Sequence, residues 1–329
     1  MRVGIVGAGI SGLAAARRLQ QAGHEPVVFE AAPAVGGRAT TIKLMNCLAD
    51  PGLQAYTPRG MAIERVLLNE LPTKGLKKIE KPIHILSHGR PIPGSQEKNL
   101  QPRYTYESGA VRFPELLSER LDVRLDSPVE SLEKRQNRFS IRGEEFDSLI
   151  LTPPLPEVGR LLGTIGKSRS IANASYRPCL SVVLAYDVAL DPSPPYSALL
   201  SDDRMSPVLW LGIETEKSKN RAPEGWTVFV AQFGPGYSRQ HLESPESSIV
   251  PVCLSLVARL FGPTFASPVG QYVKRWVESQ PERVALFQSV NPNGERIIVA
   301  GDGTYAGRAE NAYESGLMAA DRVLRMEDR

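Results

Sequence analysis

The apolar positions of the chain change period several times, and each change marks an element. Residues 3–6 form a short continuous apolar run that passes at once into Gly7-Ala8-Gly9-Ile10-Ser11-Gly12. Residues 13–22 then follow helical spacing and are closed by Gly23, and a second apolar run, 26–29, ends on Glu30. A strand, a glycine turn, a helix and a strand within about thirty residues make up one βαβ unit.

Further along, residues 61–71 and 111–121 carry apolar side chains at helical spacing. Residues 83–86 and 90–92 predict the arms of a small hairpin around Ser87-His88-Gly89. Strand-like runs at 122–125, 129–134, 138–142 and 146–152 predict a β-meander feeding a buried strand that stops at Thr152-Pro153-Pro154. From about residue 158 the strands lengthen, at 180–186, 208–214, 227–233 and 272–277, joined by Pro-rich or charged loops such as 191–195 and 215–225. With helices near 239–243 and 246–261, this predicts an antiparallel sheet backed by helices. Gly234-Pro235-Gly236 lacks a third glycine and has a proline in the turn, so it predicts a strand-to-helix loop rather than a second dinucleotide site. Near the C-terminus a strand at 295–300 ends in Gly301-Asp302-Gly303-Thr304, and Gly307-Arg308-Ala309-Glu310-Asn311-Ala312 opens a last helix.

Composition narrows the class. With 329 residues, 42% of them apolar, the chain can bury a sizeable core and has the length of two domains. Its 39 basic and 36 acidic side chains leave a net charge of only +3, with no block of one sign, which predicts neither a nucleic-acid nor a membrane surface. The longest apolar stretch, 249–261, is interrupted by Pro251 and Arg259 and is too short to span a bilayer. The chain opens directly on a strand, which predicts no signal peptide, and Cys47, Cys179 and Cys253 form no CxxC. Structural thiols in a reducing, cytoplasmic compartment follow. Four histidines (His24, His84, His88, His241) without ligand spacing predict no metal site and no histidine-based triad.

Each residue of the opening turn has a mechanical reason. Gly7 permits the tight turn off the strand, Gly9 lets backbone approach a pyrophosphate, and Gly12 lets the helix pack close to the sheet. The N–H groups around Ala8, Ile10 and Ser11 and the positive end of the helix dipole face the phosphates. Glu30, eighteen residues beyond Gly12, stands where an acid accepts hydrogen bonds from ribose hydroxyls. After Glu30 come Ala31 and then Gly36-Gly37-Arg38, which alone is equally a glycine turn with a solvated arginine. In the strand at 272–277, alternation puts Tyr272, Lys274 and Trp276 on one face, either a partly exposed sheet surface or a pocket wall.

An acid followed closely by GG-R resembles the extended fingerprint of glutathione-reductase-like FAD proteins, the amine-oxidase group in particular. The resemblance implies that Gly36, Gly37 and Arg38 sit against the pyrophosphate and the flavin, with Glu30 and Ala31 in the same cofactor site. Asp50-Pro51-Gly52-Leu53-Gln54-Ala55-Tyr56-Thr57, read alone a polar loop, resembles the D-x-G-x-Q-x-Y-T segment of renalase-like flavoproteins. It implies that Gln54, Ala55 and Tyr56 lie along the isoalloxazine. Val129 falls where that family's backbone meets adenine, although packing alone explains it equally, and Thr152 and Pro153 close the adjacent strand. The ending, AGDxT followed by GxxExAxxSG, implies that Gly301 and Asp302 hold the ribityl chain. Arg308, Ala309, Glu310 and Ala312 would then bring the helix N-terminus to the flavin N1–C2=O edge. Renalase-like proteins carry an [HR]-[KR]-W-type strand walling the flavin cavity, and this chain has Lys274 where histidine is frequent.

The expected fold is therefore α/β, with a Rossmann-like FAD-binding domain of the glutathione-reductase and p-hydroxybenzoate-hydroxylase type and a substrate domain built on a mixed antiparallel sheet. The expected boundaries are 1–59, 103–157 and 286–329 for FAD, and 60–102 and 158–285 for substrate. The resemblance implies a renalase-like FAD oxidoreductase that passes a hydride from a small reduced substrate to flavin N5, with O2 as reoxidant. Dihydronicotinamide isomers are the first substrates to try, and Lys274, Trp276 and Tyr56 are the candidate catalytic side chains. A small amine oxidase and a non-redox flavin-dependent isomerase or flavin-binding protein stay open as alternatives. The FAD is expected to be non-covalent, since no cysteine or histidine lies in the C-terminal motif.

Overall fold

The structure, a computed structural model, describes residues 1–171, 173–203 and 206–326. The opening strand Arg2–Val6 is the centre of a five-stranded parallel sheet. Glu25–Phe29 and then Asp122–Arg124 lie on one side of it, with Ser148–Leu151 and then Ile297–Val299 on the other. Parallel neighbours need a crossover, and the helix Ile10–Gln21 makes the first one. One face of the sheet is covered by that helix, by Arg112–Ser118 and by the last helix, Ala309–Leu324, around Leu13, Leu19, Phe113, Ile150 and Tyr313. The other face is covered by a three-stranded antiparallel sheet (Glu133–Arg135, Arg138–Ile141, Glu144–Phe146) and the helix Leu155–Gly163. Burial on both faces is why these strands read as continuous apolar runs rather than alternating ones.

The second sheet has seven strands in the order Gly270–Arg283, Ser175–Tyr186, Thr227–Phe233, Val208–Ile213, Ala198–Ser201, Ile83–Ser87, Arg90–Ile92. It is mixed, because Ala198–Ser201 pairs in parallel with Ile83–Ser87. The helix Glu246–Phe261 covers one face through Ile249, Cys253 and Val257. On the opposite face the hairpin of Ile42–Leu44 and Cys47–Ala49 packs on Val183, Ala185, Val228 and Val230. Alternation along Gly270–Arg283 follows this division. Val273 faces the helix-side core, and Arg275 donates to the carbonyls of Leu242 and Ser244 on that side. On the other face Tyr272 packs with the hairpin residues Cys47 and Ala49, Trp276 bonds Pro51 O, and Lys274 stands over the Trp276 ring.

Several elements depart from the periodicity. Residues 61–71 split into an α-turn, Met61–Arg65, and a π-turn, Val66–Glu70; the wider turn still buries Ile63, Val66, Leu67 and Leu71. Of the strand expected over 129–134 only Glu133–Arg135 forms, and Val129 instead packs against the meander core. The buried strand stops at Leu151 as expected before Thr152-Pro153-Pro154, and Pro154 then caps the helix Leu155–Gly163 with Pro156 in its first turn, where a missing N–H is harmless. Ala198–Ser201 has no periodic signature and owes its conformation to partners on both sides. The charged stretch 215–225, expected to be a connecting loop, is the largest departure. It begins with the short helix Glu214–Lys217 and carries Lys217 and Arg221 into the interior.

The two long helices on the first sheet touch through glycine. A Cβ on Gly316 would lie 2.2 Å from the Ser11 carbonyl oxygen and 3.0 Å from the Ala14 Cβ. Gly316→Val is expected to push the final helix off the fingerprint helix and cost about 1–3 kcal/mol, read as a lower denaturant midpoint.

Candidate FAD site

At the phosphate end, two glycine segments form one backbone cradle. Gly7 turns at φ +96 and donates its N–H to Phe29 O at 2.8 Å. A Cβ there would lie 2.7 Å from Thr152 Oγ1, and one on Gly12 would lie 2.0 Å from Gly7 O, so neither position has room for a side chain. Thr152 Oγ1 donates to Val6 O at 2.8 Å and, with Pro153, closes the turn from the neighbouring strand. Gly36 N donates to Ala8 O at 2.9 Å, and Gly37 lies with its would-be Cβ 3.7 Å from Gly9 Cα. Gly9 faces open space, with no heavy atom within 4 Å of where its Cβ would be. Ser11 Oγ is buried without a hydrogen-bond partner, and the helix starting at Ile10 has no side-chain cap. Open space, uncapped N–H groups and an orphaned hydroxyl at a helix N-terminus fit a pyrophosphate.

Glu30 does more than face a ribose. Its carboxylate accepts from Ala8 N at 2.7 Å and Ala32 N at 2.9 Å, holding the glycine loop against the end of the second strand. Ala31 is exposed beside it, and Val129 is half-buried in the meander core.

Arg38, on the other side of the cradle, meets the C-terminal motif. It makes a bidentate pair with Asp302, Nη1 to Oδ2 and Nη2 to Oδ1 at 2.8 Å each, and Nη1 also donates to Ser279 O at 3.0 Å. Burial opposes the Arg38 charge, but Asp302 outweighs it and holds the guanidinium above its usual value. Burial and the charge of Asp302 push the neighbouring Tyr176 phenol up to about 12. Gly301, at φ +121, donates its N–H to Ser315 Oγ at 3.0 Å, which pins the Gly-Asp turn to the final helix. That helix starts at Ala309 without a side-chain cap; Ala309 and Ala312 are half-buried, and exposed Arg308 lies 3.8 Å from Glu310. Glu310 is buried, and burial raises its carboxyl pKa.

The loop from Asp50 to Tyr56 lies between this cradle and the second sheet. Leu53 N donates to Arg38 O at 2.9 Å, and a Cβ on Gly52 would lie 2.1 Å from that same oxygen. From the sheet, Trp276 Nε1 donates to Pro51 O at 3.3 Å, and Gln232 Nε2 donates to Gly52 O at 2.7 Å. Lys274 Nζ stands 4.9 Å from the Trp276 ring centroid, a cation–π contact on the same face. Trp276 and Lys274 therefore wall this junction. Tyr56 does not: its side chain is buried against Phe113, and its hydroxyl donates to Ala110 O. Buried, with its hydroxyl committed to a backbone carbonyl, Tyr56 lies in the core and not among the side chains at the junction.

Sequence reasoning missed the side chains gathered behind the loop. Asp50, Glu214 and Arg221 are fully buried and Lys217 nearly so. Arg221 Nη2 donates to Asp50 Oδ2 at 2.8 Å, Lys217 Nζ to Glu214 Oε1 at 2.5 Å, and Thr41 Oγ1 to Asp50 Oδ1 at 2.6 Å. Burial opposes ionisation of both acids, but Arg221 and Lys217 prevail at Asp50, whose carboxyl stays below its usual range. At Glu214 burial wins, and the carboxyl is raised. Nothing in the sequence separated this cluster from a solvated charged loop, since charge spacing carries no register across 171 residues.

A parallel sheet with a glycine cradle at the carboxyl end of its central strand, and a second sheet facing the far end of that cradle, defines a two-sheet FAD-dependent oxidoreductase. The family model for flavin containing amine oxidoreductases matches residues 96–324, and a model for NAD(P)-binding Rossmann-like domains matches residues 5–70. The chain belongs to the flavin-containing amine oxidoreductase family, and FAD is its cofactor. It is 24% identical over 300 residues to the renalase of Mus musculus, covering 85% of each chain. In fold it is similar to cyclohexylamine oxidase from Brevibacterium oxydans IH-35A, with a TM-score of 0.78 at 14% identity over 100% of this chain and 99% of that one. Reduced UDP-galactopyranose mutase superposes with a TM-score of 0.76 at 13% identity over 99% and 96%. Among the described residues no helix is long and apolar enough to cross a membrane.

A surface cavity of about 440 Å³ framed by Gln288, Asn293, Arg296, Arg322 and Arg325 lies at the opposite end of the final helix and contains none of these site residues. Asp302→Ala is expected to strand the Arg38 guanidinium, which is one-third exposed, at a cost of about 2 kcal/mol, and to lower the FAD content after gel filtration. Full flavin occupancy in that variant would remove Asp302 from the binding site.

Proposed function

We propose that the enzyme is a renalase-like oxidase that takes a hydride from a small, electron-rich reduced substrate of the dihydronicotinamide type, with O2 as the final acceptor. In this reading residues 1–59, 103–157 and 286–329 hold FAD, while 60–102 and 158–285 wall the substrate. The observation that carries it is the charge at the junction. Lys274 has no carboxylate within ion-pair distance among the described residues, and the nearby acids Asp50 and Glu214 are bound to Arg221 and Lys217. A protonated amine would meet the Lys274 ammonium there, whereas a neutral or phosphate-bearing donor meets no such penalty. The likeness to mouse renalase across 85% of both chains supports the same reading.

When bound, FAD would supply the hydride acceptor and the route by which two electrons and two protons, one of them from the hydride and one from solvent, reach O2 to give H2O2. The protein's part is to bind, orient and exclude water. Trp276 offers a flat apolar wall, Lys274 an anchor for substrate anion or π-density, and the loop 50–56 a rigid floor. A hydride donor that already carries its electron pair on carbon requires no general base. The four histidines are engaged elsewhere: His24 lies beside the Met1 amine, His84 packs at a tilt on Tyr196, His241 stacks on Tyr237, and His88 is exposed at a hairpin tip.

Anaerobic mixing of the yellow holoenzyme with dihydronicotinamide isomers and with primary amines tests the proposal. Bleaching by the former and not the latter, with O2 uptake on exposure to air, is the expected result. Bleaching by amines alone would assign a small amine oxidase, and absence of any bleaching would assign a non-redox flavin protein. Trp276→Ala is expected to slow bleaching about tenfold or more while FAD content holds, and Lys274→Met to raise the KM for a phosphate-bearing donor more than it lowers kcat.

A further inference from the structure

The buried cluster behind the loop is built to hold one amide. Gln54 Oε1 accepts from Trp210 Nε1 and from Lys217 Nζ, both at 3.0 Å, and Gln54 Nε2 donates to Asp50 O at 2.6 Å and Gly52 O at 3.2 Å. Both donors and both acceptor positions of this side chain are thus spent on the protein itself. The second sheet leaves a notch for it: a Cβ on Gly212 would lie 2.9 Å from both Gln54 Oε1 and Trp210 Nε1. Gln232 and Trp276 fill the Pro51 and Gly52 carbonyls from the neighbouring strands, so the whole 50–54 backbone is gripped from one sheet face.

Burying four charges is a poor way merely to join a loop to a sheet. An apolar cluster of the same volume would do so at lower desolvation cost. The cluster is also incompletely bonded, with Glu214 Oε2 and Arg221 Nη1 at 3.3 Å lacking hydrogen-bond geometry. What the charges add is direction. Arg221 is fixed by Asp50, Thr105 Oγ1 and Tyr106 O, it faces Glu214, Glu214 orients Lys217, and Lys217 aims at Gln54.

We propose that Lys217 and Trp210 are positioning residues for FAD: through the Gln54 amide they set the 50–54 backbone in the one conformation that meets the ring end of the cofactor. The ring end lies here because Glu30 occupies the ribose side of the cradle, whereas Arg38, which leads to the loop through Leu53 N, occupies the other. Gln54 then acts as a keystone of the loop rather than as a hydrogen-bonding partner of the ring. This deepens the assignment of the site to FAD and does not depend on which substrate is used.

The test compares the holoenzyme with Trp210→Phe, which removes a single N–H, and Lys217→Met. Both are followed by the flavin absorption bands, the midpoint potential in a dithionite titration, FAD content and thermal midpoint. The expected result is a displaced band shape and potential in both variants, with FAD retained, and anaerobic reduction by the best reductant about tenfold slower. Lys217→Arg is expected to restore part of the wild-type spectrum. Wild-type bands and potential in Trp210→Phe and Lys217→Met would overturn the proposal. If Lys217→Met does not fold, Trp210→Phe and Gly212→Ala decide by the same readouts. Because the bands and potential need no substrate, failure of the dihydronicotinamide reading leaves this result interpretable.

Discussion

The pair between Arg38 and Asp302 joins residues 264 positions apart, and most of the site's geometry hangs from it. Arg38 continues the second glycine segment, which lies on the first through the Gly36–Ala8 hydrogen bond. Asp302 belongs to the turn that Ser315 ties to the final helix. Their two parallel hydrogen bonds therefore set three things at once: the width of the phosphate cradle, the start of the last helix and, through Ser279 O, the position of the strand carrying Lys274 and Trp276. A bidentate guanidinium–carboxylate pair suits this task because it fixes an angle as well as a distance. A lysine in place of Arg38 would supply the charge without the orientation.

Behind that pair the two sheets divide the work by their burial. The parallel sheet is covered on both faces and owes its stability to apolar packing, which leaves its carboxyl edge free for backbone to approach a ligand. The seven-stranded sheet covers one face with a helix and exposes on the other a row of polar and aromatic side chains, Trp276, Gln232 and Trp210. That row meets the loop rather than solvent, so the loop is a shared floor between cofactor and substrate layers. Its rigidity comes from filled carbonyls and a buried charge cluster.

Much of this was readable before any coordinates. The βαβ unit, the GG-R segment, the long strands and the final Gly-Asp turn and helix all formed where periodicity and glycine placement put them, because local sterics and apolar spacing act within a few residues. Thr152 and Pro153 likewise fell at the closing edge of the cradle. Errors gathered where tertiary partners overrule local signals. A four-residue strand formed between two neighbours, a charged stretch carried Lys217 and Arg221 into the interior, and the Tyr56 side chain packed in the core.

The sequence by itself determined the strand, glycine turn and helix at the N-terminus and the Gly-Asp turn and helix near the C-terminus, since both depend on short-range geometry that only a few residue types permit. Only the tertiary structure decided which charges are buried and which are solvated. Lys217 and Arg221 look the same in a string of letters as Lys77 and Lys78, yet the first two lie in the interior and the second two on the surface. Lys77 and Lys78 pair with Glu107 and Glu80 in solvent, whereas Lys217 and Arg221 meet Glu214, Asp50 and Gln54 where distant segments close over them, and such burial is a property of the folded chain alone.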